Sequence, residues 1–439
     1  MTALPTTTPR ARLLPLAVEA LLALGVLASL GWTLHFFLEY GYLPQPFVFD
    51  TNDTYMDWFN TAYWANNRGA YDVWRSIYPP LSFVFLDATS LPGCYLQSPF
   101  WARDCDWLAR ATIHGFYLID VALAWVCFRR LDRRTAPMRT IAVALGLPML
   151  FTIERGNLIL VAFAFFMVAH GPVTASKPWR WFAAAVTINF KPYLVLPMLA
   201  HAVKRDWRPL EIAGIATAAL YLVTLALVGS GTPGELVSNT ANWVVFQGAQ
   251  VWNEVNYSTS YAPFMMFRTL DIPLLQFVPS RLVETIEFTV PIVIRSTQLM
   301  ALAALAAAWL QPRALPLHRI SAILLGAYLV TQSPGGYTQL FLLFLVLMER
   351  WQGAGPIAAI TAAYLLCLIG DWPLATVLDV ASNSWLGERT VTASFGLTAG
   401  HFIRPGLVAL IVWALSLDSI ARVVRAHRDQ RPSLGLVAA

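Results

Sequence analysis

Residues 13–37 read LLPLAVEALLALGVLASLGWTLHFF, an apolar run holding one carboxylate, Glu19, and one imidazole, His35. A helix needs about 20 apolar residues to cross the roughly 30 Å hydrocarbon core of a bilayer, and this run supplies them. It exceeds the roughly 7–15 apolar residues of a signal peptide, and no convincing small-residue cleavage site follows, so it reads as a retained first helix. Blocks of the same character recur at 109–128, 139–153, 157–170, 209–229, 289–311, 319–332, 338–350, 355–371 and 401–422. Their solvent is lipid.

Composition agrees. Of 439 residues, 13% are charged, about half the roughly 25% of a soluble domain. That is too few to cover a soluble surface of this size. Disordered, collagen-like and disulfide-scaffold classes are excluded by the same apolar content, and no internal repeat or low-complexity tract is visible. The net charge of +5 is modest, and its placement is more informative. Basic clusters stand at Arg10 and Arg12, Arg129 to Arg134, Lys204 to Arg208, Arg313 to Arg319 and Arg422 to Arg431. Each abuts an apolar block, the positive-inside pattern of a membrane protein and not a nucleic-acid surface.

With those clusters inside, the chain threads into an all-α polytopic protein, a single integral membrane domain over 1–439 with about 10–12 transmembrane helices. Both termini are then cytoplasmic. Outer loops fall at 38–108 and 230–288, and the turn Glu154-Arg155-Gly156-Asn157 points outward. Segment 179–203 has basic flanks at both ends and Lys191-Pro192 near its middle. Its arms, of roughly ten residues each, are too short to span, so it is re-entrant or its ends are misread. Trp and Tyr recur at helix-like intervals in 53–75 and 235–256, which suits interfacial helices in the headgroup layer. Cys127 and Cys367 lie in apolar blocks and read as packing residues. Cys94 and Cys105 lie in the first outer loop, where a disulfide could persist; the sequence leaves their pairing open.

Ionisable residues inside apolar blocks are costly and mark function or internal ion pairs. Asp120, Glu154, Arg155, Lys191 and Arg295 are such residues. Arg295 reads as a snorkelling or paired side chain. Lys191 lies in a stretch bracketed by Pro192 and Pro197, where an interrupted helix frees backbone groups and, with the ammonium, makes a seat for an anion. Arg155 with Asn157 stands at an equivalent outward tip. The two cations suit a lipid-linked phosphate or pyrophosphate. Asp50, Asp53 and Asp57 cluster in the first outer loop. A carboxylate there facing cations fits sugar transfer, with a base on the acceptor hydroxyl and cations on the departing phosphate. A solvated acidic loop or a helix N-cap fits the spacing equally. No HExxH, Cys-x-x-Cys, P-loop, dinucleotide glycine fingerprint or Asp-x-Asp metal site is read, so neither a cofactor nor a divalent metal is expected. The Gly-rich turn Thr331 to Tyr337 joins two apolar blocks and is a weak phosphate signal.

Several stretches coincide in order with one family. Asp53, then Gly69-Ala70-Tyr71-Asp72, then Tyr78-Pro79-Pro80-Leu81, then Arg155-Gly156-Asn157, Lys191-Pro192-Tyr193, Asn256-Tyr257-Ser258 and Ser333-Pro334 resemble the motifs of polyprenol-phosphate-sugar-dependent, C-type glycosyltransferases. The resemblance is to glycosyltransferase family 87 in particular, which includes mycobacterial mannosyltransferases. It covers roughly residues 45–350. Two departures stand out. The family commonly has Gln-x-Asn where Arg155-Gly156-Asn157 stands, and often a His after the Ser-Pro turn, where Gly335, Gly336 and Tyr337 stand.

The resemblance implies a C-type fold on a bacterial inner membrane with the active site facing the periplasm. It implies transfer of one sugar, a mannose-like hexose, from a polyprenyl-monophosphate donor to a glycolipid or glycan acceptor, with inversion. Residue roles are assigned on that basis. Asp53 would be the general base with Asp57 as runner-up, and Lys191 and Arg155 would hold the donor phosphate. Asn157, Tyr78, Asn256, Ser258, Ser333 and Tyr337 would line the sugar and acceptor pocket. The rivals are a lipid-linked sugar transporter or flippase, and an O-antigen ligase or polymerase. The first would usually show symmetry between halves, which is not visible here. The second would concentrate its chemistry in a late outer loop, whereas here it is early.

Overall fold

Lipid offers the backbone no hydrogen-bond partner, so apolar blocks must satisfy themselves as helices. The computed structural model describes residues 9–246, 279–331 and 335–430, and most of them are helical. In chain order come α1 (Pro9–Tyr40), the loop helices α2 (Met56–Asn66), α3 (Pro80–Ala88) and α4 (Pro99–Cys105), and then α5 (Trp107–Leu131). They are followed by α6 (Ala136–Leu145), α7 (Leu147–Arg155), α8 (Ile159–His170), α9 (Lys177–Phe190), α10 (Leu196–Val203), α11 (Trp207–Val228) and α12 (Pro233–Phe246). Beyond residue 278 lie α13 (Ser280–Leu310), α14 (Leu317–Leu329), α15 (Gln339–Leu347), α16 (Ala354–Leu366) and α17 (Gly400–Gln430). Among the described residues, six helical stretches are long and apolar enough to cross a membrane: α1, α5, α6 with α7, α11, α13 and α17. These helices mark the chain as a membrane protein. α8, α10, α14, α15 and α16 are shorter.

The chain is not wholly helical. Pro373–Asn383 and Thr390–Thr398 pair as an antiparallel hairpin, β1 and β2, between α16 and α17. The all-α expectation is corrected there. Alternating Thr and Val in TVTASFGLT (390–398) give the period of two that favours a pleated strand. Gln45 clamps the hairpin to the end of α1, its Nε2 donating to Gly396 O at 3.1 Å and its Oε1 accepting from Gly396 N at 3.0 Å.

Two helices too short to span form the centre. α8 and α15 are apolar on all sides and buried along almost their whole length, as expected for helices that never face the solvent. Phe163 and Phe166 of α8 pack edge-on against Phe341 and Phe344 of α15 at ring separations of 4.9–6.2 Å. α6 and α7 are separated at Gly146, where Pro148 lacks the amide that would continue the helix and Gly146 packs against the end of α16,. A Cβ at Gly146 would lie 2.8 Å from Cys367 Cβ, and Leu147 N donates to Cys367 O at 3.0 Å.

Buried charges pin the end of the bundle near the start of α6. Arg139 pairs with Glu19 at 2.7 Å, and Glu19 also accepts from Trp351 Nε1 at 2.6 Å and Tyr364 Oη at 3.1 Å. Arg319 bridges Glu349 and Asp418. Removing one partner of such a pair strands a buried charge and typically costs about 3–5 kcal/mol.

At the other end, residues 41–106 form a structured cap. Cys94 and Cys105 are joined in a disulfide. Asp106 caps α5 through Ala109 N at 3.0 Å and accepts from Leu91 N at 3.0 Å and Tyr95 Oη at 2.9 Å. Asn239 of α12 donates to Tyr71 O at 2.9 Å and Ser76 O at 3.2 Å, tying the two long loops together.

Candidate active site

The site forms where the tip between α7 and α8 meets α2. Gly156 ends α7 with φ +60°, a conformation that favours glycine,. It also sits so close to α2 that a Cβ would lie 3.0 Å from Tyr55 Cα and 3.2 Å from Trp58 Cβ. Tyr55 takes the left-handed region too, at φ 62°, a strain of about 1–2 kcal/mol for a residue with a Cβ. Its amide donates to Glu154 O at 2.9 Å. The chain thus turns sharply between Asp53 and Asp57 and directs both carboxylates at Arg155.

Arg155 serves both. Its Nη1 pairs with Asp53 Oδ2, and its Nη2 donates to Asp57 Oδ1 at 2.7 Å. Asn157 Nδ2 donates to Asp57 Oδ2 at 2.7 Å, while Asn157 Oδ1 accepts from Ile159 N at 3.1 Å at the start of α8. Asp57 is therefore held at both oxygens. Asp53 keeps more water, with its side chain 43% exposed against 21% for Asp57. Burial pushes the Asp53 carboxyl above its ordinary value, and the Arg155 guanidinium offsets part of that rise. Asp50 is the helix cap among the three: its side chain accepts from Asn52 N at 2.9 Å. Arg103 of α4 braces the turn from outside, donating to Thr51 O at 3.2 Å and Asn52 O at 2.7 Å.

The lysine arrives from another element. α9 stops at Phe190, Lys191 is extended, and Pro192 opens a short 3-10 turn before α10. The ammonium lies over the Tyr78 ring, 4.4 Å from its centroid, a cation–π contact. Tyr78 neighbours Asp57, Thr61 and Asn157, and burial is the first cause of its raised phenol pKa. Asp53, Asp57, Tyr78, Arg155, Asn157 and Lys191 are thus brought into one cluster. Tyr337 stands beside it, stacked on Phe151 of α7 at 5.9 Å. Asn256, Ser258 and Ser333 lie outside the described residues.

Three further side chains join the cluster without having been assigned a role from sequence. Tyr193 stacks on Tyr328 at 5.3 Å, and its buried hydroxyl has no hydrogen-bond partner among the described residues. Glu154 is buried with both carboxyl oxygens likewise unpartnered. His114 of α5 meets the Tyr55 hydroxyl at 3.4 Å. Tyr193 and Glu154 were open to prediction, since the first follows Lys191-Pro192 directly and the second is an ionisable residue of an apolar block beside Arg155; His114 depends on packing between distant segments.

Beside Lys191 a cavity of 590 Å³ opens between the α9–α10 break, α11 and α12, bordered by Pro79, Pro192, Tyr221 and Leu236. Its lining is almost wholly apolar.

Two letter patterns held to be absent from the sequence do occur, and the structure gives each another use. Gly229 to Gly234 reads Gly-x-Gly-x-x-Gly, but it joins α11 to α12 with no strand before it, unlike a dinucleotide site. Asp104-Cys105-Asp106 reads Asp-x-Asp, but Cys105 is in the disulfide and Asp106 caps α5. Comparison of the chain with protein-family models, curated proteins and solved structures returns no match.

Proposed function

We propose that the protein is a membrane glycosyltransferase. It moves one sugar from a polyprenyl-monophosphate donor to a glycolipid or glycan acceptor, on the outer face of a bacterial inner membrane. The observation that carries this reading is the pair of carboxylates on Arg155 and Asn157 beside Lys191, with an apolar cavity at the lysine's back. A lipid-linked sugar phosphate has three chemically distinct parts. The cavity suits the isoprenoid stem, Lys191 and Arg155 suit the phosphate, and the polar cluster with Tyr78 and Tyr337 suits the sugar. The ordered motifs that resemble glycosyltransferase family 87 support the same assignment.

In the reaction, Asp53 takes the proton of an acceptor hydroxyl. The oxygen attacks the anomeric carbon as the bond to the phosphate oxygen breaks, which inverts that carbon and releases polyprenyl phosphate. Lys191 and Arg155 stabilise the charge that develops on the leaving phosphate. Asp53 suits the base better than Asp57 because it is more exposed and, although Arg155 reaches both of its oxygens, the longer of those contacts is 3.4 Å and Asn157 holds only Asp57. Asp57, held at both oxygens, positions Arg155.

The test uses protein in lipid nanodiscs, supplied with polyprenyl-phosphate-linked mannose, glucose, galactose or arabinose and a lipid extract. Wild type should transfer one of these sugars, and Asp53→Asn should keep the fold and lose transfer. Full activity in a well-folded Asp53→Asn protein would remove Asp53 from the base role. The lysine-bearing break between α9 and α10 would also suit a flippase for a lipid-linked sugar. Donor translocation without transfer in proteoliposomes would select that reading.

A further inference from the structure

A second cavity, of 480 Å³, opens at the opposite end of α9. α9 has 14 residues, so the cavity lies about 20 Å along the helix from Lys191. Its charged lining comes from two helix starts and the end of a third. Lys177 and Arg180 belong to the first turn of α9, Arg208 to the first turn of α11, and His201 to the end of α10, with Trp181 completing one wall. Arg180 is fixed in place because its Nε donates to Ala169 O at 2.9 Å. The acidic member, Asp206, is 3.5 Å from His201. Three permanent cations against one carboxylate leave the cavity positive, and the N-terminal turns of two helices add their dipoles in the same sense.

The depth of this cavity points to its ligand. Trp179, Trp207 and Trp309 are all exposed at this end of the bundle, and Trp207 packs edge-on against Trp309 at 6.2 Å. Arg205 lies over the Trp309 ring at 4.9 Å. Exposed tryptophans beside cations mark the headgroup level of a bilayer. Basic pockets between helices at that level recognise anionic lipid headgroups.

We infer that this cavity binds the phosphate-bearing headgroup of an anionic phospholipid, at a site separate from the Asp53 cluster. The inference does not depend on sugar transfer. A free phosphate shares the chemistry, and the arms of the experiment distinguish the two sources.

The full chain is purified in detergent and titrated with phosphatidylglycerol or phosphatidylcholine, with bound lipid counted by native mass spectrometry. Wild type should retain about five times more phosphatidylglycerol than phosphatidylcholine. Lys177→Gln with Arg180→Gln and Arg208→Gln should lose most of that excess. The single exposed variant Arg208→Gln, which spares the half-buried, hydrogen-bonded guanidinium of Arg180, should lose part of it if the triple variant misfolds. Arg425→Gln, an exposed cation elsewhere, should retain it. Equal retention of both lipids by wild type, or an undiminished excess in a folded Arg208→Gln and triple variant, would overturn the proposal. So would complete displacement of phosphatidylglycerol by an equal concentration of inorganic phosphate, since the site would then take a free anion. Survival of the lipid against that competitor supports the lipid source.

Discussion

Arg155 has to satisfy Asp53 and Asp57 at once, and that sharing sets the basicity of the proposed base. Burial raises the Asp53 carboxyl and Arg155 lowers it, with the rise winning. A general base acts deprotonated, so transfer should fall as pH drops through the Asp53 pKa and level off above it. The midpoint of that acid limb should lie above about 3.9, the unperturbed value. Arg155→Gln removes the offsetting cation and should move the midpoint to higher pH while lowering the turnover at the plateau. A limb that stays put in a folded Arg155→Gln protein would assign it to another group. Parts of this site were legible as letters. A lysine and an arginine within apolar blocks, and three aspartates in one loop, are each expensive or clustered enough to notice. Which carboxylate each cation holds was not legible, because Arg155 and Asp53 stand 102 residues apart. Nor was the caging of Asp57 by Asn157; a helix cap was legible among the three aspartates, but not that Asp50 is the one.

Element boundaries follow how far each signal extends. The run at 13–37 grew at both ends into α1, Pro9–Tyr40, because helices continue past the apolar residues that reveal them. The expected block at 289–311 begins at Ser280 in α13, whose first turns carry Arg281, Glu284 and Glu287. Charge there hides a helix from a hydropathy reading without stopping it. The break at Lys191-Pro192 was legible, since proline lacks the amide a helix needs. The β1–β2 hairpin was not legible as an apolar run although its alternation was present, because its strands are only half apolar. The first outer loop is held by the Cys94–Cys105 bridge, which the sequence left open. The bridge closes a separation of 11 residues, and a loop of that size loses about 3 kcal/mol of stabilisation when it is cut. Cys94→Ser with Cys105→Ser should therefore lower the thermal midpoint measured by tryptophan fluorescence. It should also weaken transfer, because Arg103 of α4 braces Thr51 and Asn52 beside Asp53. Unchanged stability and transfer would mean that the loop holds Asp53 without the bridge.

At the scale of the whole molecule, the ion-pair networks gather at two ends. The Glu19–Arg139 and Arg319–Glu349–Asp418 networks sit near the start of α6, and the Asp53 cluster sits at the far end of α7. We propose, from the basic clusters of the sequence, that these ends lie on opposite sides of a membrane. Exposed Arg68 and Arg133 test this. In right-side-out vesicles, a membrane-impermeant maleimide should label Arg68→Cys and leave Arg133→Cys untouched until the vesicles are opened. Labelling of both, or the reverse order, would overturn the orientation. Buried Cys127 and Cys367 give little background. The contact at Gly156 has a consequence for exchanging parts between such proteins. Tyr55 and Trp58 would crowd any side chain at residue 156, and the same turn supplies Arg155 and Asn157 to the carboxylates across the gap. Loop one and the α7–α8 tip are two halves of one moulded joint. A chimera whose crossover falls between them would mate halves cut for different partners. One that carries 50–170 across as a single block would keep the joint whole.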